Sequence, residues 1–404
     1  MNIAHVCDSY LPRLGGMEIQ VAELAGRQQG RRDRVEVVTA SAGGPDPDDP
    51  ALPVHRLIGA AHPLAARPLA PASAVRVVRG GGFDVVHAHV GVGSPVAFAA
   101  AAAAARAGIP TVVTVHSLWA YVYPVFRAVD AVGGLSRLPI RWTAVSAAAA
   151  APVRRLLPPG TAVTVIPNGV DPAFWVGPPA PREPGTVTIA AAMRLTARKR
   201  TLPLLRMLRV ARAVVPAEIR LRAVVVGAGP RWAAAQRYLD EHGMSSWVRL
   251  PGRVTRLDVA RLYRSADLFV APADLESFGI AALEARCAGL PVLAKASAGV
   301  GEFVRHGHEG MLARDDAQMV EQLVRLVTDG ALRESIRRHN LRTPCPVTWD
   351  AVLTRTDAAY ADAALAARRR PGHGARRRGG DDRLAGGAQV PRPSATTSSA
   401  PTGC

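Results

Sequence analysis

The sequence predicts an α/β chain made of two doubly wound parallel-sheet domains in tandem. Three observations carry that expectation. Short β-branched runs alternate with helix-length segments, the pattern of a parallel sheet with crossover helices. The alternation breaks at Pro167-Asn-Gly-Val-Asp-Pro172 and a Pro-rich stretch at 178–185, then restarts. A length of 404 residues with 49% apolar content is enough for two ordinary domains with buried cores.

Residues 2–6 read as the first strand. Gly15-Gly16 lies in the loop behind it, and an amphipathic helix runs from about 18 to 28. A strand at 35–39 precedes a loop at 41–53 rich in Gly, Pro and Asp. β-Branched runs at 84–89 and 111–116 flank an Ala-rich helix at 95–107. Strands at 142–145 and 163–166 enclose a helix at 147–157. In the second half, strands fit 187–191, 221–226, 248–250, 268–270 and 292–294. Helices fit 201–214, 231–242, 256–265, 279–288 and 315–329, and one more fits 348–367. From Arg368 onward the chain is Arg, Gly, Pro, Ser and Thr with little to bury, and it reads as disordered. The expected divisions are a first domain over 1–168, a linker over 169–185, a second domain over 186–344, a closing helix over 345–367 and a basic tail over 368–404.

The formal net charge is +18, and the tail contributes with eight Arg against two Asp. A basic surface suits nucleic acid, anionic lipid or anionic small ligands alike. Aromatic residues are only 5%, with none of the aromatic-plus-basic clustering of single-strand binders, which argues against nucleic acid. The four cysteines, Cys7, Cys287, Cys345 and Cys404, are scattered and form no CxxC, as expected in a reducing compartment. The N-terminus has no basic region followed by a long apolar one, and the longest apolar run, 96–105, is too short to span a bilayer. The expected location is the cytoplasm, with contact at the inner membrane face left open.

The chemistry gathers at strand ends. Residues 267–291 read as strand, loop, helix and strand, with Glu276 in the loop, Glu284 on the helix and Gly289-Leu-Pro291 as the stop. A helix N-terminus offers free N–H groups to a phosphate or a polarised sugar oxygen. Glu284 follows Ala-Ala-Leu, and an acid in so apolar a helix needs a partner, either a ligand hydroxyl or a cation such as Arg286. Arg194, Arg198, Lys199 and Arg200 put four cations just before a helix, which suits a pyrophosphate. Gly15 and Gly16 allow close approach of backbone to a ligand. His116 closes a strand, where it can hydrogen-bond a sugar hydroxyl or help in proton transfer. His87 and His89 read as packed residues, with no third ligand at metal-binding spacing. Asp46-Pro-Asp48 is a DxD only by accident of an acidic loop. Val224-Val-Val-Gly-Ala-Gly-Pro230 falls short of a dinucleotide-binding turn.

Taken in order, several of these pieces resemble the retaining glycosyltransferases of family 4, which have the GT-B fold. They are the Gly-Gly loop with Glu18, the strand ending at His116, Ile166-Pro-Asn-Gly-Val-Asp171, Arg194-Leu-Thr-x-x-Lys199, Val-Val-Gly-Ala-Gly229, Glu276-Ser-Phe-Gly-Ile-Ala-Ala-Leu-Glu284 and Ala288-Gly-Leu-Pro-Val292. The resemblance covers about residues 1–365. It implies two Rossmann-like domains facing across a cleft, with the last helix crossing back to the first domain. It implies a nucleoside-diphosphate sugar donor held mainly by the second domain. Arg194 and Lys199 would neutralise the diphosphate, Glu284 would accept from ribose hydroxyls, and Glu276 would hold sugar hydroxyls. Ser277 and the amides of Phe278, Gly279 and Ile280 would support sugar and phosphate, His116 would contact the sugar, and Gly15 and Gly16 would let the first domain close. It implies no cofactor and no metal, and an acceptor that is a small molecule, a glycan or a lipid-linked sugar. The chain departs from the family pattern at Met193, Arg286, the 295–302 loop and the tail. The same fold also serves nucleotide-sugar 2-epimerases, and a non-catalytic nucleotide-sugar binder is the third reading.

Overall fold

The computed structural model describes residues 1–13, 15–43, 51–58, 67–119, 123–178 and 183–368. Asp46-Pro-Asp48 and the tail from 369 on lie outside the described residues, as do parts of the 41–53 loop and of the Pro-rich linker.

The first sheet holds β1 (Asn2–Cys7), β2 (Arg34–Thr39), β3 (Val54–Arg56), β4 (Val85–Val90), β5 (Thr111–Val115), β6 (Ile140–Ala144) and β7 (Val163–Val165). The second holds β8 (Thr186–Ala192), β9 (Arg220–Val226), β10 (Val248–Arg249), β11 (Leu268–Ala271), β12 (Val292–Lys295) and β13 (Gly310–Ala313). Their orders are β3-β2-β1-β4-β5-β6-β7 and β10-β9-β8-β11-β12-β13. Neighbouring strands pair in parallel. Each sheet therefore reverses its winding once, between β1 and β4 and between β8 and β11. At such a switch point the loops part and leave a crevice at the strands' carboxyl ends.

Among the described residues, thirteen α-helices make the crossovers: α1 (Gly16–Gly30), α2 (Ala70–Gly80), α3 (Pro95–Arg106), α4 (Tyr123–Gly133), α5 (Ala147–Leu156), α6 (Pro172–Trp175), α7 (Thr201–Val214), α8 (Trp232–Glu241), α9 (Arg256–Ser265), α10 (Ile280–Cys287), α11 (Asp316–Thr328), α12 (Gly330–Arg342) and α13 (Trp349–Arg368). Strand alternation divides the first sheet into two faces. Val86, Ala88 and Val90 join the alanines of α3 in one core. Ile3, Val85 and Val112 join Val21 of α1 and Trp349 and Tyr360 of α13 in the other. His5, His87 and His89 share the second face, at positions where an all-parallel sheet usually carries aliphatic residues.

Several elements were not anticipated from the sequence. Strand β3 and helices α2, α4 and α6 lie in stretches left unassigned from the sequence, although α2 and α4 are both amphipathic. Helix α12 follows α11 with one residue between them. Asp329 ends α11, its carboxylate accepts the Leu332 N–H at 2.8 Å to cap α12, and Gly330 is the first residue of the new helix. The 20-residue α13 lies on the first sheet, as Arg31–Asp357 at 3.1 Å and Arg141–Asp362 at 2.9 Å indicate. The Arg27 guanidinium stands over the Trp349 ring, 5.0 Å from its centroid. Just before α13, Val170 donates its N–H to Val347 O at 3.1 Å, so the two interdomain crossings run side by side. Among the described residues, no helix is long and apolar enough to cross a membrane.

Candidate active site in the cleft between the sheets

The carboxyl ends of both sheets border one cleft of about 840 Å³. On the second domain's side it is built from the two loops that part at the switch point. The loop after β8 brings Arg194, Arg198 and Lys199 to the cleft wall. The loop after β11 brings Glu276, Ser277 and Phe278, and runs into α10 through Gly279. Lys199 and Glu276 are ion-paired where these loops meet. Arg200 is not part of the wall. It pairs with Asp274 and with Asp316, each at 2.6 Å, and Lys295, 2% exposed, joins Asp316 at 2.6 Å. So of the four cations expected at a pyrophosphate, three line the cleft and the fourth ties the two loops to the start of α11.

Helix α10 begins at the cleft because Gly279 turns the chain with φ +96°, a conformation L side chains rarely adopt. The first intrahelical bond runs from Leu283 N–H to Gly279 O. The N–H groups of Ile280, Ala281 and Ala282 therefore lack helical partners and add the positive end of the helix dipole to the cleft. One turn on, Glu284 lies deep, with part of its surface open to the cleft. Burial pushes its carboxyl up to about 8. Nearby Arg256 opposes that shift and Glu23 adds to it. The expected alternative partner, Arg286, does not serve Glu284. It turns instead toward Glu309, 3.9 Å away.

The first domain faces these groups with Gly15 and Gly16 after β1 and His116 after β5. A Cβ on Gly16 would lie 3.0 Å from Ile280 Cδ1 of the opposite domain, so the two walls touch here. Ser277 Oγ donates to the His116 carbonyl at 2.7 Å, a second contact across the cleft. The His116 ring is pushed down to about 4 by burial and is neutral near neutral pH. Apart from Arg200, every residue singled out from the sequence as a candidate therefore borders this one cleft. Glu18, named only as part of the Gly-Gly loop, does not: its buried carboxylate lies against Gly15.

Two features went unseen in the sequence. Glu23 of α1 and Arg256 of α9 form an ion pair across the cleft, and Arg256 also stands 4.9 Å over the Phe174 ring. Nothing local marks either residue, since each is an ordinary charge on an amphipathic helix. The second feature corrects the expectation that no histidine pair has a third partner. One ring nitrogen from each of His5, His87 and His89 lies within 4.8 Å of the others. The third residue comes from a neighbouring strand more than eighty positions away, so sequence spacing could not reveal it. These nitrogens are already bonded within the protein, to one another and to Gln28, Tyr360 and Thr114.

Comparison with known proteins gives consistent matches. Residues 14–174 match the model of Glycosyltransferase Family 4, and residues 186–329 match that of Glycosyl transferases group 1. A D-inositol 3-phosphate glycosyltransferase of Stackebrandtia nassauensis is 29% identical, over 88% of this chain and 90% of the relative. One from Salinispora arenicola is 35% identical over 37% of this chain and 36% of its own length. Among solved structures, HepE of Anabaena in complex with UDP and glucose superposes with a TM-score of 0.71 at 18% identity, covering 89% of this chain and 99% of that one. Sucrose-phosphate synthase of Thermosynechococcus elongatus gives 0.71 at 19% identity, covering 90% and 99%.

Proposed function

This chain belongs to glycosyltransferase family 4, with the GT-B fold, and from that premise we propose that it moves a hexosyl group from a nucleoside-diphosphate sugar to a hydroxyl of its acceptor, with retention and without a divalent cation. The observation that carries this reading is the convergence of Lys199, Arg194 and the open N-terminus of α10 on one side of the cleft with Glu276 and Glu284 beside them.

Fixed cations and free N–H groups aimed at one spot stabilise a departing diphosphate, because its charge grows as the sugar leaves. Lys199 and Arg194 would take that charge. Glu276, released from Lys199 by the incoming diphosphate, would accept from sugar hydroxyls. Glu284 would accept from ribose hydroxyls, and His116 would meet the sugar from the first domain. In the transfer, the bond from C1 to the diphosphate oxygen breaks and its electron pair stays with the diphosphate. The acceptor oxygen bonds to C1 on the same face, and its proton passes to the departing phosphate oxygen. A two-carboxylate glycosidase scheme is not needed, since neither glutamate has to be nucleophile or acid.

The deciding experiment incubates the protein with UDP-, GDP- and ADP-hexoses, with and without EDTA, against a panel of hydroxylated acceptors. D-Inositol 3-phosphate is the first to try, because the relative matching along nearly the whole chain is named for it. A glycoside with the donor's anomeric configuration, formed in EDTA, supports the proposal. Donor turnover to an epimer with no acceptor present would assign the site to an epimerase, and binding without turnover would make it a binder.

A further inference from the structure

Behind His116 runs an unbroken file of buried polar groups. His116 Nε2 lies 3.0 Å from His89 Nδ1, and His89 Nε2 lies 2.9 Å from His5 Nδ1. His5 Nε2 lies 2.7 Å from Gln28 Oε1, and Gln28 Nε2 donates to Tyr360 Oη at 3.1 Å. Tyr360 Oη is 2.9 Å from His87 Nδ1, and His87 Nε2 is 2.6 Å from Thr114 Oγ1. Thr114 and Thr143 share a 2.6 Å hydroxyl contact, and Thr143 donates to the Val113 carbonyl at 3.3 Å. The file thus starts at the cleft, crosses β4 and β1, passes through α1 to α13, and ends on the backbone of β5.

Burial keeps the rings neutral: His5 and His116 are pushed down to about 4, His87 and His89 well below the usual value. A neutral imidazole has one donor and one acceptor, so each link dictates the next. Two proton arrangements run the length of the file. In one, each donor points toward Val113: His116 Nε2–H to His89, His89 to His5, His5 to the Gln28 oxygen, the Gln28 amide to Tyr360, Tyr360 to His87, His87 to Thr114, Thr114 to Thr143. In the other, the amide and all the protons are reversed, Thr143 donates to Thr114, and the Val113 carbonyl loses its hydroxyl donor. A carbonyl can only accept, so it polarises the file in the first sense. His116 then carries its proton on Nε2 and keeps a bare Nδ1, which has no hydrogen-bond partner among the described residues.

We propose that His5, His89, Gln28 and Tyr360 are positioning residues that fix the tautomer of His116 and tie it to α13, so that His116 meets the donor as a hydrogen-bond acceptor. The catalytic consequence rests on the reading of His116 as a donor contact. A metal ion held by His5, His87 and His89 is the competing use of these rings. The geometry disfavours it: His5 Nδ1 and His89 Nε2 are 2.9 Å apart and bonded to each other, whereas two imidazole nitrogens on tetrahedral zinc stand about 3.3 Å apart.

The test is the ring ¹⁵N spectrum of the full chain labelled at histidine, with His116 assigned by its loss in His116→Gln. The wild type is expected to show the proton on Nε2. Gln28→Leu removes the acceptor of His5 and should mix the two tautomers while lowering kcat about tenfold with a smaller change in donor KM. Gln28→Glu restores an acceptor at that point and should recover both the tautomer and kcat. A wild-type proton on Nδ1, a tautomer that Gln28→Leu leaves unchanged, or a zinc ion retained stoichiometrically and removed by chelator each overturns the proposal. If Gln28→Leu does not fold, Tyr360→Phe, which keeps the ring and removes only the hydroxyl, carries the same comparison. The spectrum needs no donor, so a failed transfer assay would sink the functional reading and leave the tautomer result standing.

Discussion

Lys199 and Glu276 are each other's counterion across the switch point of the second sheet, one at the end of the loop after β8 and the other in the loop after β11. Held this way, each charge compensates the other. A diphosphate offers Lys199 a stronger partner and would release the glutamate. Lys199→Ala should therefore lower kcat/KM for the donor by about 10²–10³-fold. Glu18→Ala, which removes a carboxylate folded against Gly15 outside the cleft wall, should cost much less. Steady-state kinetics of both variants decide the point, and equal small losses would dismiss the phosphate role of Lys199.

Glu284 makes a signed prediction about pH. Its folded-state pKa, about 8, is raised above the ordinary carboxyl value by burial. The native state therefore holds a proton that the unfolded chain has already lost. The associated stability is fully present below the usual carboxyl range and is lost as pH rises through about 8. Melting temperatures of wild type should fall across that window, and Glu284→Gln should flatten the fall. Glu23 raises and Arg256 lowers this pKa, so Glu23→Gln should move the fall to lower pH and Arg256→Met to higher pH. If ribose hydroxyls donate to Glu284 they favour its charged form, and nucleotide binding should release a proton in the same window. Calorimetry in buffers of different ionisation enthalpy would detect that release.

The return of α13 to the first domain can be tested at Trp349. Its ring is buried, covered by Arg27 at 5.0 Å and pressed against the backbone at Gly169. Trp349→Ala should destabilise the fold by about 3–5 kcal/mol, the usual range for emptying a buried aromatic site. Urea denaturation gives the number. A loss below about 1 kcal/mol would mean that the site collapses or that α13 contributes little to the stability of the first sheet.

The alternation of buried runs and helices was enough to reveal two parallel sheets, because strands covered on both faces have little sequence freedom. The candidate cleft residues were legible for a related reason: they lie on strand-end loops and on a helix start, places where glycines and charges stand out from apolar surroundings. What escaped the sequence depends on distance between strands. Each of His5, His87 and His89 looks like a packed residue in its own strand, and only the β1–β4 pairing brings His5 beside His87. Glu23 and Arg256 are 233 positions apart and meet only because the domains face each other. Helix α12 was missed for the opposite reason: Asp329-Gly330 marks a break, but the break is so short that one Asp both ends α11 and caps α12.

The contact between Gly16 and Ile280 makes the width of the cleft itself testable. A Cβ at position 16 would stand 3.0 Å from the Ile280 Cδ1 methyl, tighter than most real Cβ contacts, and the methyl must then give by a few tenths of an ångström. That methyl is the far end of a flexible side chain, so Gly16→Ala should cost little stability. What it should change is the approach of the first domain to the start of α10. Donor KM is expected to rise by about tenfold while the melting temperature stays near that of wild type. Replacing Ile280 by Val removes the methyl that the added Cβ would meet, so the double variant Gly16→Ala/Ile280→Val should regain most of the lost affinity. Two losses that simply add, with no recovery in the pair, would mean that the glycine acts through its own backbone freedom and not through the space it leaves opposite Ile280.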